Sequence, residues 1–293
     1  MLKYQKKRQD LKKKIGTVNT LLEALPFIKK FSGEIVVIKY GGSAQTSPTL
    51  KQKFAEDILL LYLVGLRPVI VHGGGKRITE LLSKLEIGTE FIDGQRVTTD
   101  EVMKVVEMVL SGDINKEITA MLNHFGAKAV GISGKDSGFI KAKAFNSEKF
   151  GRTGVVDSID PTVIHKLLDE KFVPVIAPIG GGYDLGDIGY NINADFVASA
   201  VAKSIGAKKI LFLTDTAGIL DKNGELIHTL SLKDVENLKK DGTIYGGMIP
   251  KVDACTDSVK NGVEKAHIID GRVEHSILLE ILTSEGLGTQ FTK

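Results

Sequence analysis

The chain has 293 residues, enough for one large α/β domain or two modest ones. An apolar content of 42% and a charged content of 26% are ordinary for a globular protein, and a net charge of +3 is too small to imply nucleic acid. A single cysteine, Cys255, excludes an intrachain disulfide framework and a cysteine-rich metal site and suits a reducing cytoplasm, and no apolar run approaches the ~20 residues of a membrane helix.

Residues 1–32 stand apart. Lysine crowds the first 14 positions, and Leu11, Ile15, Val18, Leu22 and Leu25 then recur at the helical spacings of three and four. Gly16-Thr17 interrupts that pattern and predicts a kink or two helical pieces. Three readings compete: a frayed terminus with one face on the body, an organelle transit peptide, or an oligomerisation arm. A single arginine and the lack of serine before Ser32 place the transit peptide last.

The stretch Val36 to Ala44 reads Val-Val-Ile-Lys-Tyr-Gly-Gly-Ser-Ala. Ile35 to Ile38 predict a short buried strand with Lys39 at its tip. Gly41-Gly42 follow, where backbone N–H groups can approach a ligand unobstructed by Cβ atoms. The combination suggests an anion site, most simply for phosphate; the alternative is an ordinary β-turn with a surface lysine. A second strand, Arg67 to His72, runs into Gly73-Gly74-Gly75 and a helical pattern from Lys76. A glycine turn opening a helix presents free N–H groups and the positive end of the helix dipole.

Helical patterns cover roughly Leu50 to Val64, Lys76 to Leu85 and Asp100 to Phe125. Strand patterns lie near Val69 to Val71, Ala129 to Ile132 and Val173 to Ile176, and Pro161 opens a helix to about Leu168. Two extended runs, Phe139 to Ala144 and Thr153 to Val156, read as a hairpin or flap. This alternation predicts a mostly parallel sheet with helices on both faces. The softest boundary is the glycine-rich stretch 180–189.

Tyr-Asn-Ile-Asn-Ala-Asp follows at 190–195, ahead of a helical pattern. In extended chain Asn191, Asn193 and Asp195 project to one side, gathering two amides and a carboxylate. One such residue is usually an N-cap; three at alternate positions exceed what a cap needs. Ile210 to Leu213 predicts another strand, leading into Thr214 to Leu220. That exit could hold a nucleotide's ribose or phosphates, or be a tight turn. Asp241 to Lys251 reads as a glycine turn opening a helix, with Pro250 in its first turn. The dipole disfavours a cation such as Lys251 there, which suggests a bound anion. No P-loop, three-glycine dinucleotide fingerprint, nucleophile elbow or His-Glu-x-x-His zinc site is present. His72 and His267 follow apolar strands and read as structural.

Val-Ile-Lys-Tyr-Gly-Gly-Ser, Val-His-Gly-Gly-Gly, Asp-Gly-Gln-Arg-Val-Thr (93–98), Tyr-Asn-Ile-Asn-Ala-Asp, Leu-Thr-Asp-Thr-Ala-Gly-Ile-Leu and Gly-Gly-Met-Ile-Pro-Lys occur in this order. Together they resemble the amino acid kinase family over residues 17 to 293, and most specifically its branch acting on N-acetyl-L-glutamate. The resemblance implies a three-layer αβα sandwich around a mostly parallel sheet. It implies an arm at 1–32, an acetylglutamate-binding lobe at about 33–180 and an ATP-binding lobe at about 181–293. The implied reaction moves a phosphoryl group from ATP, with Mg²⁺ bridging its phosphates, to the γ-carboxylate of N-acetyl-L-glutamate. Lys39 and Lys251 would stabilise the transition state, Asp195 would orient both, and Gly42 and Gly74 would donate N–H bonds. Gly74, Gly75, Arg96, Asn191 and Asn193 would hold the acceptor. Thr214, Asp215, Gly218, Leu220, Gly247 and Met248 would hold the nucleotide, with no metal ligand in the chain itself.

Arginine-inhibited members of that family resemble this chain at both ends. The resemblance implies an N-terminal helix interlacing dimers into a homohexamer, and an L-arginine site with His267, Glu280, Gly286 and Gly288. A cytoplasmic enzyme is expected, without nucleic-acid or membrane partners, and a PII-type signalling protein is a candidate partner. The rivals are another acylphosphate-forming kinase and a non-catalytic sensor of arginine or nucleotide; retention of both lysines and Asp195 argues against the sensor.

Overall fold

The structure, a computed structural model, describes residues 2–92 and 94–293, with side chains described from Leu11 onward. Asp93, first residue of the Asp-Gly-Gln-Arg-Val-Thr motif, and Met1 lie outside the described residues.

Eight strands form one sheet: β1 (Ile35–Tyr40), β2 (Arg67–His72), β5 (Ala129–Ser133), β8 (Val173–Ala177), β11 (Lys209–Thr214), β12 (Thr229–Ser231), β13 (Lys265–Asp270) and β14 (Thr289–Thr292). Their order is β12-β14-β13-β11-β1-β2-β8-β5, and every neighbouring pair is parallel except β13 with β14. A second sheet holds β6 (Ile140–Ala144), β7 (Thr153–Ile159), β9 (Ile179–Gly180) and β10 (Tyr190–Ile192), and of the hairpin or flap expected here β6 and β7 form the hairpin. The short strands β3 (Phe91–Ile92) and β4 (Gln95–Arg96) pair with each other.

Strand periodicity sorts the side chains between two cores. On β1, Val36, Ile38 and Tyr40 enter one core, and Ile35 and Val37 enter the other. The first core is covered by α2 (Pro48–Leu63), α3 (Gly75–Lys84), α4 (Asp100–Glu107), α5 (Asn115–Phe125) and α11 (Ser276–Leu282), together with the end of α1 (Leu2–Phe31). The second lies under α7 (Thr162–Asp169), α8 (Ala194–Ser204), α9 (Leu232–Lys240) and α10 (Ile249–Lys260). Helices thus cover both faces of the large sheet, as expected. The remaining helix, α6 (Ser147–Phe150), is a single turn between β6 and β7.

Two expectations are corrected. Of the kink or two pieces expected at Gly16-Thr17, the two pieces do not occur: the N-terminal segment is one continuous helix. Hydroxyls at Thr17 and Thr20 bond back to the carbonyls of Lys13 and Gly16, inside the helix. The helix expected over Asp100 to Phe125 is interrupted by a π segment, Met108–Ile114, which shifts the register of Asn115 and everything after it.

Candidate active site

Lys39 stands on the strand face shared with Ile35 and Val37, so it points toward α8 and α10. Asp195 lies in the first turn of α8 and Lys251 in the first turn of α10. The Asp195 carboxylate sits between the two ammonium groups, 3.0 Å from Lys39 Nζ and 2.8 Å from Lys251 Nζ. Burial works to raise the pKa of Asp195, but the two lysines outweigh it and hold the carboxyl below its ordinary value. The anion that Lys251 needs at its helix start is therefore supplied by the chain itself.

The three residues read as one polar face at 191–195 divide their roles. Asn193 is the N-cap of α8, and its side chain accepts the Asp195 N–H at 2.8 Å. Asn191 belongs to β10 and donates to Thr98 Oγ1 at 3.2 Å. Only Asp195 reaches the lysines.

A cleft of about 740 Å³ opens at the end of β1 and β2, lined by Lys39, Gly41, Gly42, Gly74, Gly75 and Asp215, among others. Gly42 takes φ +65°, and a Cβ there would lie 2.6 Å from Asp215 Oδ1, which accepts the Ser43 N–H at 2.8 Å. A Cβ on Gly74 would lie 2.4 Å from Ile114 and 2.7 Å from Leu110, both side chains of the π segment. Lys51 and Arg77 reach the same cleft and share Glu117, with Arg77 Nη1 2.5 Å from its carboxylate.

Arg96 lies beside this cleft. It donates to Thr89 Oγ1 at 2.7 Å, Thr79 Oγ1 at 2.8 Å and the Gly75 carbonyl at 3.0 Å, and its guanidinium covers the Phe91 ring. Only 6% of the residue is exposed, yet no carboxylate pairs with it among the described residues. Burial lowers its pKa. Thr98 joins Arg96 to Asn191: its hydroxyl donates to the Arg96 carbonyl at 3.1 Å and accepts from Asn191.

The expected nucleotide residues lie at and just beyond the C-terminal end of β11 and before α10. The Thr214 carbonyl accepts the Gly271 N–H, Gly218 packs on Thr289, and Leu220 is exposed. Gly247 and Met248 belong to the 3₁₀ turn that opens α10.

The C-terminal residues gather on the opposite face of the sheet. His267 Nδ1 lies 2.6 Å from Glu280 Oε1, and Glu280 Oε2 accepts the Leu287 N–H at 2.8 Å. A Cβ on Gly286 would lie 2.8 Å from that carboxylate, and one on Gly288 would strike the Ile268 carbonyl. Sequence reasoning missed Lys209, a buried lysine on this face whose Nζ lies 4.5 Å from the Phe31 ring. It also missed Gln45 and Asn115. For Asn115 a signal existed: one amide on the apolar side of the helix predicted over Asp100 to Phe125.

A profile for the amino acid kinase family matches residues 34–270. A protein of a Nitratiruptor species named acetylglutamate kinase is 70% identical over 280 residues, 96% of this chain and 99% of that protein. Proteins of the same name from Sulfurimonas denitrificans and Wolinella succinogenes are 64% and 59% identical, covering 96% and 97% of this chain and all of each relative. Among solved structures, N-acetylglutamate synthase from Neisseria gonorrhoeae, complexed with coenzyme A and N-acetyl-glutamate, superposes with a TM-score of 0.84 at 25% identity. That match covers 94% of this chain and 63% of the longer synthase chain. Carbamate kinase from Giardia lamblia bound to AMP-PNP shares the fold at 17% identity and a TM-score of 0.69, over 89% of this chain and 99% of its own. The profile spans most of the chain and the relatives align almost end to end, so the chain belongs to the amino acid kinase family.

Proposed function

We infer that the chain transfers the γ-phosphoryl group of ATP to the γ-carboxylate of N-acetyl-L-glutamate, forming N-acetyl-L-glutamyl 5-phosphate in the second step of arginine biosynthesis. The observation that carries this reading is the Asp195 carboxylate held between Lys39 and Lys251 beside two glycine turns. The acceptor carboxylate is ionised at neutral pH (reference pKa about 4.3), so no general base is needed. The work left to the protein is positioning and charge neutralisation. Lys39 and Lys251 would neutralise the transferring phosphoryl oxygens, Asp195 would hold both ammonium groups in place, and the N–H groups of Gly42 and Gly74 would add donors. Arg96, a buried cation without a carboxylate partner among the described residues, would pair bidentately with the acceptor's α-carboxylate. Gly75, Asn191 and Asn193 would complete that end. Thr214, Asp215, Gly218, Leu220, Gly247 and Met248 would hold the nucleotide. Mg²⁺ would enter with ATP. Among the described residues no group of three or more acidic, histidine or cysteine side chains is placed to hold an ion.

The same reading divides the domain into an acceptor lobe at about 33–180 and a nucleotide lobe at about 181–293. It assigns L-arginine, as feedback inhibitor, to the cluster of His267, Glu280, Gly286 and Gly288. It makes the N-terminal helix an arm of a homohexamer: Leu11, Ile15, Val18, Leu22 and Leu25 are each 51–58% exposed along one stripe. No helix among the described residues is long and apolar enough to cross a membrane, and the reading places the enzyme in the cytoplasm, where a PII-type protein would be a regulatory partner.

ADP release from ATP with N-acetyl-L-glutamate, glutamate and aspartate in parallel, each with and without L-arginine, tests this. Turnover of acetylglutamate alone, suppressed by arginine, is expected. No turnover of acetylglutamate would refute the activity, and indifference to arginine would refute the regulatory site. Sedimentation of a chain lacking residues 1–32 should show dimers; surviving hexamers would refute the arm.

A further inference from the structure

The two glycine turns on the cleft are tied together by one side chain. Gln45 Nε2 donates to the Tyr40 carbonyl at 3.0 Å and to the Gly73 carbonyl at 3.2 Å. The Gly73 N–H also donates to the Tyr40 carbonyl, at 2.9 Å. His72 adds a second donor: its Nδ1 lies 3.1 Å from the Gly73 carbonyl.

The tautomer of that ring follows from its other side. Asn115, fully buried just beyond the π segment, aims Nδ2 at the carbonyls of Val175 (2.9 Å) and Ile132 (3.3 Å) and at His72 Nε2 (3.2 Å). Carbonyls only accept, so that atom is the NH₂ group, His72 Nε2 accepts from it, and Nδ1 carries the proton. Burial pushes the His72 pKa down to about 4, which keeps the ring neutral near pH 7.

A trans peptide unit directs its C=O and N–H to opposite sides, and the described chain has no cis bond. The Tyr40 carbonyl shares its unit with the Gly41 N–H, and the Gly73 carbonyl shares its unit with the Gly74 N–H. Holding both carbonyls on Gln45 therefore turns both N–H groups the other way. Among the described residues no acceptor meets either of them, although Gly41 is buried. A Cβ on Gly41 would lie 2.9 Å from Lys39 Nζ, so this glycine sits against the ammonium group.

We propose that Gln45 is a positioning residue for phosphoryl transfer, locking the Tyr40–Gly41 and Gly73–Gly74 peptide units so that both N–H groups meet the transferring phosphoryl group. The proposal rests on reading the cleft as the phosphoryl-transfer site. Gln45 also lines the cleft, and the role assigned to it is exerted through the two peptide units.

Gln45→Met keeps the side-chain length and removes the amide. In the full-length protein, kcat and the affinity for MgADP with aluminium fluoride and N-acetyl-L-glutamate, which mimics the planar phosphoryl group, should each fall roughly tenfold, with both KM values within about twofold of the parent. His72 provides an independent pair. The amide nitrogen of His72→Asn can stand where Nδ1 stands and keep the bond to Gly73, whereas His72→Gln presents its amide at Nε2 and loses it. The glutamine variant should reproduce the Gln45→Met profile and the asparagine variant should lie nearer the parent. These histidine variants decide the matter if Gln45→Met does not fold. Unchanged kcat and fluoride-complex affinity in Gln45→Met would overturn the proposal. So would an equal loss of affinity for MgADP alone, the mark of a merely structural role. A parent inactive on acetylglutamate would instead remove the function proposed above.

Discussion

Two buried carboxylates lie on opposite faces of the same sheet, each among basic side chains, and they differ in how firmly those neighbours hold charge. Asp195 and Glu280 both have side chains 5% exposed. Asp195 faces two lysines at ion-pair distance, so its charge is balanced within the chain. Glu280 faces His267, whose pKa burial lowers more than the neighbouring carboxylate raises it, and lies near Lys209, pushed down by burial to about 8. Glu280 nevertheless stays below its ordinary value: burial works to raise it, and the bonds from His267 and the Leu287 N–H together with Lys209 outweigh that. The first arrangement offers the fixed positive charge that the proposed phosphoryl transfer needs. The second leaves a carboxylate with one neutral partner and one weakly held proton, and can accept an outside cation such as a guanidinium.

Breaking the first cluster should have the largest effect. Lys39→Ala removes one of two fixed cations and leaves Asp195 buried with half its compensation. We expect kcat to fall by roughly three orders of magnitude, the upper range for removing a preorganised donor at developing charge. Steady-state ADP release measures it, and unchanged turnover would remove Lys39 from the chemistry. Next is Arg96→Lys, which keeps the charge but loses the planar fork. The KM for acetylglutamate should rise about a hundredfold with kcat much less affected, as expected when an interaction is equally strong in ground and transition states. An equal fall in kcat at unchanged KM would place Arg96 on the phosphoryl group instead.

The first cluster was more legible in the sequence than its supports. Lys39 ends an apolar strand before two glycines, and Asp195 and Lys251 open helices, so each stood at an element boundary where polar side chains carry a signal. The strand period also sets which face Lys39 uses. What could not be read was pairing at long range. That Lys251 is neutralised by Asp195, 56 positions away, depends on α8 and α10 packing side by side. The alternate spacing of Asn191, Asn193 and Asp195 misled because the helix starts in the middle of it: Asn193 became the cap that a simpler reading would have assigned. Gln45 carried no such signal. Its role emerges only when the turns at 41–42 and 73–75, about thirty positions apart, lie side by side. The π segment was invisible because its residues keep helical hydrophobic spacing; only the place of Asn115 reveals the extra residue.

For the second cluster, Glu280→Gln keeps the shape and the acceptor for Leu287 while removing the charge. Inhibition by L-arginine should weaken at least about tenfold, the scale of a lost charged hydrogen bond. The kcat without arginine should stay within about twofold of the parent, since neither Glu280 nor its partners His267 and Leu287 line the cleft. Titration of inhibition in both proteins measures it, and an unchanged inhibition curve would move the effector site elsewhere.

The smallest effect expected is on stability. The folded Lys209 releases its proton near pH 8, whereas in the unfolded chain it does so near its ordinary value. Between those two points the unfolded state binds more protons than the folded state, so stability from this residue rises with pH across that window. Below about pH 8 the charged, buried lysine costs stability; above the window the cost is gone. Lys209→Met never carries that charge, so its advantage over the parent should be greatest near pH 7 and fade toward pH 10. Urea midpoints of both proteins at pH 7, 8, 9 and 10 would follow the gap. A gap that stays constant would mean that Lys209 keeps its proton through this range and that the second cluster holds charge as firmly as the first, which would dissolve the contrast between the two faces.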